Sequence, residues 1–399
     1  MTGLGEMRER KIDRSLGPLS GVRVLDLTRL LPGGYCTLLL ADMGADVVKV
    51  EEPGKGDYIR WTPPMVGDES TAHRALNRGK RSITLNLKTP DGGDILKRLA
   101  ERFDVLVESF RPGVMDRLGV GWAVLHEVNP ALVYCAITGY GQDGPYRDRV
   151  GHDINYIGYG GVLGIIGPRD GPPSVPGVQI GDVGGGGMAA TIGILAALYE
   201  ARDTGRGRFV DTSMLDGIVS WLTIHGGDFL ATGELSERGN MRLAGAFPCY
   251  RVYRAGDGKY LTVGALEPQF WRALCEAVGV PELIEEQFSP DSAAHEKMES
   301  VFASRSRDEW LAQLAELETC VGPVNDLAEA FRDPQVVHRR LAAEIDGETV
   351  GPSSPMRFDG EQLVRLTRAP GFGEHTAEVL AEIGVGKDEL AKLRDSGAV

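Results

Sequence analysis

The segment Gly151-His152-Asp153-Ile154-Asn155-Tyr156 sets an imidazole beside a carboxylate, an amide and a phenol, just after the glycine- and proline-rich turn TGYGQDGP. Imidazole changes charge near neutral pH, so His152 is a candidate general base or acid. A structural use competes with this one: Asp153 can cap a helix start and His152 can be a satisfied core histidine. Further on, Ile180-Gly181-Asp182-Val183 precedes four glycines, Gly184 to Gly187, and a long apolar run. That order predicts a loop feeding a buried helix whose free N-terminal amides keep Asp182 ionised and stabilise an anion, either an enolate or a phosphate. Plain N-capping is the simpler role for Asp182. A third carboxylate, Glu267 in Gly264-Ala265-Leu266-Glu267-Pro268, sits at a strand end, where it could equally be an ordinary helix-starting residue before a proline.

The cations are distributed unusually. The chain has 43 Lys+Arg against 57 Asp+Glu, a formal charge of −14, which disfavours a nucleic acid partner. Within that acidic background Arg74, Arg78, Lys80 and Arg81 cluster, with Lys88 close behind and Arg111 in ESFRPGV. A charge run is usually a solvated face, but strand ends in α/β sheets bind ligands, which makes Arg78 and Arg111 candidate phosphate contacts. No H-E-x-x-H or other metal-ligand spacing and no G-x-S-x-G occurs, so zinc hydrolysis and esterase chemistry drop out and no metal is expected. Glu51 ends a strand where an acid could hold a ribose. The turn before it reads TRLLPGGY rather than G-x-G-x-x-G, which disfavours a nicotinamide enzyme.

The elements that must position these residues follow from periodicity. Strand-like runs occur at 22–27, 45–51, 82–87, 104–108 and 132–137, with helical stretches between them, the first at Tyr35 to Met43. This alternation predicts an α/β domain with a mostly parallel sheet. Past Trp221 the pattern changes: 247–264 reads as two strands around an Asp257-Gly258 turn, followed by helices to about 332, a second domain. The last helical segments, HTAEVLAEIG and KDELAKLRDSG, are short and should pack on an existing core. With 399 residues, 42% of them hydrophobic and 25% charged, a soluble two-domain enzyme is expected. Five scattered cysteines without a C-x-x-C pair point to a reducing compartment, and the N-terminal MTGLGEMRERKIDRS contains no apolar leader core. The longest uncharged run, Val183 to Tyr199, is short for a membrane span.

Long stretches then carry a resemblance: GPLSGVRVLDLTRLLPGGYCTLLLADMGADVVKVE, NRGKRSITLNLK, ESFRPGVMDRLG, ITGYGQDGPY and GILAALYEARDTGRGRFVDTSMLDG. Over essentially its full length the chain resembles the family III (CaiB/BaiF) CoA-transferases, which include formyl-CoA transferase, carnitine CoA-transferase and α-methylacyl-CoA racemase. The resemblance implies a large Rossmann-like domain built from both chain ends, residues 1–214 and 333–399. It also implies a smaller inserted α+β domain at 240–318, linkers at 215–239 and 319–332, and an interlocked homodimer. GHDINY, GD followed by glycines, and GALEPQF resemble the racemase branch. There the His and Asp of the first two motifs move protons, which implies catalytic roles for His152 and Asp182, with Glu267 the third motif's acid.

The chemistry suits these residue types, because inverting a carbon next to a thioester carbonyl needs a base on each face. Glu267 would then hydrogen-bond to His152 and set its tautomer, and backbone amides near Asp153 or the glycines would hold the enolate oxygen. In the transferase branch the same aspartate instead attacks an acyl-CoA and carries CoA as a thioester, which Asp182 also permits. The resemblance places CoA on Leu85, Asn86, Leu87 and Lys88 and on Gly151, Asp153, Ile154, Asn155 and Tyr156. CoA enters as part of the acyl-CoA substrate, and no other cofactor is implied. Two features depart from the racemase pattern. Glu52 stands where an arginine contacts CoA, leaving Arg60 or Arg74 as replacements, and the link GDYIRWTPPMVGDESTAHRAL is long, as in transferases. A noncatalytic scaffold is disfavoured because His152, Asp182 and Glu267 are all intact. The expected protein is a cytoplasmic, homodimeric 2-methylacyl-CoA epimerase.

Overall fold

In a computed structural model of the chain, residues 17–290, 292–362 and 367–399 are described. The N-terminal stretch read above as lacking a leader lies outside them. Contacts divide the chain into two units. The first is built on six parallel strands: β1 (Arg23–Leu27), β2 (Asp46–Glu51), β3 (Arg81–Thr84), β4 (Val105–Glu108), β5 (Val133–Thr138) and β6 (Phe209–Ser213). Their order is β3-β2-β1-β4-β5-β6, with Val24 of β1 level with Val47 of β2 and Val105 of β4. This is the strand order of Rossmann-type sheets, which reverses direction between β1 and β4 and opens a crevice at the strand ends there.

Near-continuous apolar runs form these strands because both sheet faces are covered. Val24, Val47, Val105, Val107 and Cys135 face α1 (Leu30–Asp42) and α3 (Ala189–Thr204), while Leu25, Val48, Leu106 and Tyr134 face a second buried cluster that includes Leu96, Val379 and Leu380. The late helix Thr376–Glu382 thus completes the core begun by the first strands. All five cysteines are free, and four of them are buried.

Several local expectations need correction. The first helix begins at Leu30 rather than Tyr35, carrying Pro32, Gly33 and Gly34 inside it, and the third strand ends at Thr84 rather than at residue 87. The strand Phe209–Ser213 is an addition to the strand-like runs of the sequence. The glycine run is no loop: residues Gly181–Met188 form a π-helical turn that continues directly into α3. Together, 181–204 is long and apolar enough to cross a membrane, yet 56% of its most apolar window is buried within the fold, as in a core helix of a soluble protein.

The second unit comprises residues 161–176 and 222–334. Strands β7 (Tyr250–Arg254) and β8 (Tyr260–Gly264) pair antiparallel around the expected Asp257-Gly258 turn, where Gly258 takes φ +84°. A third strand, β9 (Val321–Pro323), pairs with β8. The expected linker 319–332 therefore contributes to this sheet, the divide falls after 221 rather than 214, and 161–176 joins the second unit. Trp271, Phe302, Tyr253 and Leu261 are its buried centre.

Candidate active site

His152 is the N-cap of α2 (Asp153–Tyr159), with extended backbone (φ −131°, ψ 176°), and its side chain is exposed. Its amide donates to Asn155 Oδ1 at 3.0 Å, so Asn155 closes the helix start and fixes the backbone that carries the imidazole. Tyr156 is buried, stacks edge-on against Tyr140 and donates its hydroxyl to the Gly151 carbonyl. A β-carbon at Gly151 would lie 2.8 Å from the Tyr156 ring, so this position has no room for a side chain.

Asp182 lies in the π-helical turn and meets α2 directly: its amide donates to Asp153 Oδ1 at 2.9 Å. Burial raises the Asp182 carboxyl and the neighbouring Asp153 carboxylate raises it further, to about 7. Burial together with Asp182 and Asp153 also pushes the Tyr156 phenol up. The expectation of free amides around an ionised Asp182 is therefore overturned. The Asp182 amide is taken by Asp153 and the Val183 amide by the Gln179 carbonyl at 2.8 Å.

The glycines serve close packing instead. Added β-carbons would fall 2.0 Å from the Trp221 ring at Gly184, 2.7 Å from the Met214 carbonyl at Gly185 and 2.9 Å from the Pro32 carbonyl at Gly187. α1 and α4 (Met214–Ser220) thus press against the turn, which the wider π geometry accommodates. Asp153→Asn keeps an oxygen for the Asp182 amide but removes the repelling charge, so Asp182 should titrate at lower pH. The limb of the pH–rate profile that reports Asp182, compared between variant and wild type, should move towards acid.

Glu267 belongs to the second unit, where it is exposed as the N-cap of α5 (Pro268–Val278), and its backbone carbonyl accepts from the Phe270 and Trp271 amides.

A cavity of about 60 Å³ opens at the C-terminal ends of β1, β2, β3 and β4, the crevice that the strand order provides. Leu85, Asn86, Leu87 and Lys88 line it, together with Leu27, Arg29, Val50, Glu52, Phe110 and Leu118. Asn86 is fastened from behind, donating its amide to the Ala398 carbonyl (2.8 Å) and its side chain to Gly397 (3.2 Å). Arg29 is a contributor that sequence reasoning missed; the available signal was a cation in the first turn after β1. That turn reverses at Leu30, whose φ of +62° is the left-handed region usually left to glycine and whose amide is held by Asp57 at 3.1 Å. The Arg29 guanidinium lies over the Tyr58 and Phe110 rings and pairs with Glu52 at 3.2 Å.

The other cations are committed elsewhere. Arg78 is buried in a bidentate pair with Asp42, so it is not a phosphate contact. Lys80 is buried against Asp26, and Arg81 pairs with Asp46, Glu378 and Glu382. Arg60 is buried on Glu51 (2.6 Å) and Arg74 pairs with Glu348 (2.7 Å), so neither replaces a cation at position 52, and Glu51 is closed to a ribose. Arg111 is exposed in the loop after β4 and does not line the cavity.

Comparison with known proteins meets this geometry. Residues 19–376 match the model of CoA-transferase family III. Human succinyl-CoA:glutarate CoA-transferase is 35% identical over 96% of this chain and 89% of its own length, and human α-methylacyl-CoA racemase is 36% identical over 94% and 96%. The crystal structure of a CaiB/BaiF family protein from Brucella suis superposes with a TM-score of 0.82 at 33% identity, covering 92% of this chain and 99% of that one. With the family model spanning most of its length and relatives aligned nearly end to end, the chain belongs to CoA-transferase family III.

Proposed function

We propose that the protein epimerises 2-methylacyl-CoA thioesters, removing the α-proton on one face and returning a proton on the other through His152 and Asp182. The observation that carries this reading is the Asp182 carboxyl, raised to about 7 by burial and by Asp153. A group that holds and releases a proton near neutral pH suits general acid–base work, whereas a carboxylate nucleophile gains by being ionised. His152, exposed on the adjoining helix start, is the second base. Glu267 is assigned the third catalytic position of a homodimeric enzyme, and the thioester's CoA is seated on the Leu85–Lys88 loop and the start of α2. The reaction needs no further cofactor, and the cytoplasm is its proposed setting.

A second reading, CoA transfer from an acyl-CoA to a carboxylate through an Asp182-bound intermediate, is favoured by the identity to human succinyl-CoA:glutarate CoA-transferase. One experiment separates the two. A single epimer of a 2-methylacyl-CoA is incubated in D2O without any carboxylate acceptor. Deuterium at the α-carbon with inversion, read by NMR, is the expected result. No exchange, together with CoA passing to added glutarate, would select the transferase.

A further inference from the structure

At the mouth of the strand-end cavity one carboxylate faces several cations. Glu52 Oε1 lies 2.7 Å from Lys88 Nζ and 3.7 Å from Lys55 Nζ, while Oε2 lies 3.2 Å from the Arg29 guanidinium. Lys88 holds the Glu52 carboxyl below its ordinary range, with burial opposing and Lys55 and Arg29 assisting. The walls behind are apolar: Leu27, Val50, Leu87, Phe110 and Leu118. Apolar walls with a cationic rim suit a nucleoside bearing phosphate, but here an internal anion already occupies the rim. About 60 Å³ holds only part of such a ligand, so its charged end must meet the rim.

We infer that Glu52 is a built-in competitor: it occupies Arg29 and Lys88 until a phosphate of the substrate's nucleotide displaces it, and so sets how tightly that nucleotide is held. The inference rests on the proposed CoA-thioester substrate. Displacement is feasible because the pairs are partly exposed, each worth a factor of roughly two to five, and a phosphate brings more charge and more acceptor oxygens than a carboxylate. Releasing both cations from Glu52 should therefore raise phosphate affinity by roughly tenfold.

Calorimetric titration with adenosine 3′,5′-bisphosphate and with adenosine tests this. Glu52→Gln should bind the bisphosphate roughly tenfold tighter than wild type at low salt, with adenosine affinity unchanged and the gain shrinking as salt screens the rim. Adding Lys88→Ala to Glu52→Gln should remove most of the gain. Unchanged or weaker bisphosphate binding by Glu52→Gln, or an equal gain for adenosine, overturns the inference. So does the absence of bisphosphate binding by both proteins at millimolar concentration. Proton exchange and CoA transfer by the wild type are read in parallel. If both are absent while the tenfold gain is present, the functional reading fails and the rim stands; activity without the gain is the reverse outcome.

Discussion

His152→Ala and Asp182→Asn should each lower inversion of a 2-methylacyl-CoA by about 10² to 10⁴ fold, the usual contribution of a positioned acid or base. The more telling outcome is what survives. Each variant keeps one base, and a single base can still remove and return a proton on the face it meets. His152→Ala should therefore wash deuterium from D2O into one epimer without inverting it, and Asp182→Asn into the opposite epimer. α-Proton NMR on each pure epimer reads both. A transferase would behave otherwise: Asp182→Asn would lose CoA transfer while His152→Ala retained it.

Asp26→Ala should destabilise the fold by about 3–5 kcal/mol, the range for breaking a buried ion pair from one side. Asp26 is fully buried near the end of β1, where it accepts from the Thr28 amide (3.0 Å), the Thr28 and Thr37 hydroxyls (2.6 Å each) and Lys80 (3.2 Å). Burial alone would raise its pKa, but Lys49, Lys80 and the two hydroxyls outweigh it and bring it to about 2. Its contribution is thus fully present above the ordinary carboxylate value of 3.8 and is lost as the pH falls towards 2. Without Asp26 the Lys80 ammonium keeps, among the described residues, the neutral partners Gly34, Thr37 and Asn77. Against a typical stability of about 5–15 kcal/mol the loss is a large fraction. Denaturant midpoints of the variant and the wild type measure it, and a shift below 1 kcal/mol would contradict the argument.

That network also explains where the sequence misleads. Apolar β-branched runs such as VRVLDL and DVVKVE announce buried parallel strands because nothing else satisfies that composition. FVDTS does not, since Asp211 and Thr212 interrupt the apolar run, and the sixth strand goes unread. The Arg78, Lys80 and Arg81 cluster looks like a ligand surface because its partners, Asp42, Asp26 and Asp46, lie about 35 to 55 positions away in sequence. Pairing at that range has no local signature. The four glycines read as a loop for a similar reason: Trp221, Met214 and Pro32, which demand their small size, come from other segments. The candidate site itself is the more legible part, since residue type and spacing single out His152, Asp153 and Asp182. What they do to one another, above all the raised Asp182 carboxyl, depends on a contact between α2 and the π-helical turn that only the fold supplies.

The clasp of Asn86 by Gly397 and Ala398 spans 311 positions. Chains are made from the N-terminus, so the strands of the cavity leave the ribosome long before the residues that pin its wall. Ser82 is in the same situation, because the Gly373 and His375 amides that bond it also arrive late. A nascent chain halted at residue 370 would carry all six strands of the parallel sheet but none of these late residues that fasten Asn86 and Ser82. The cavity wall is thereby left unpinned until residues 373–398 have been made.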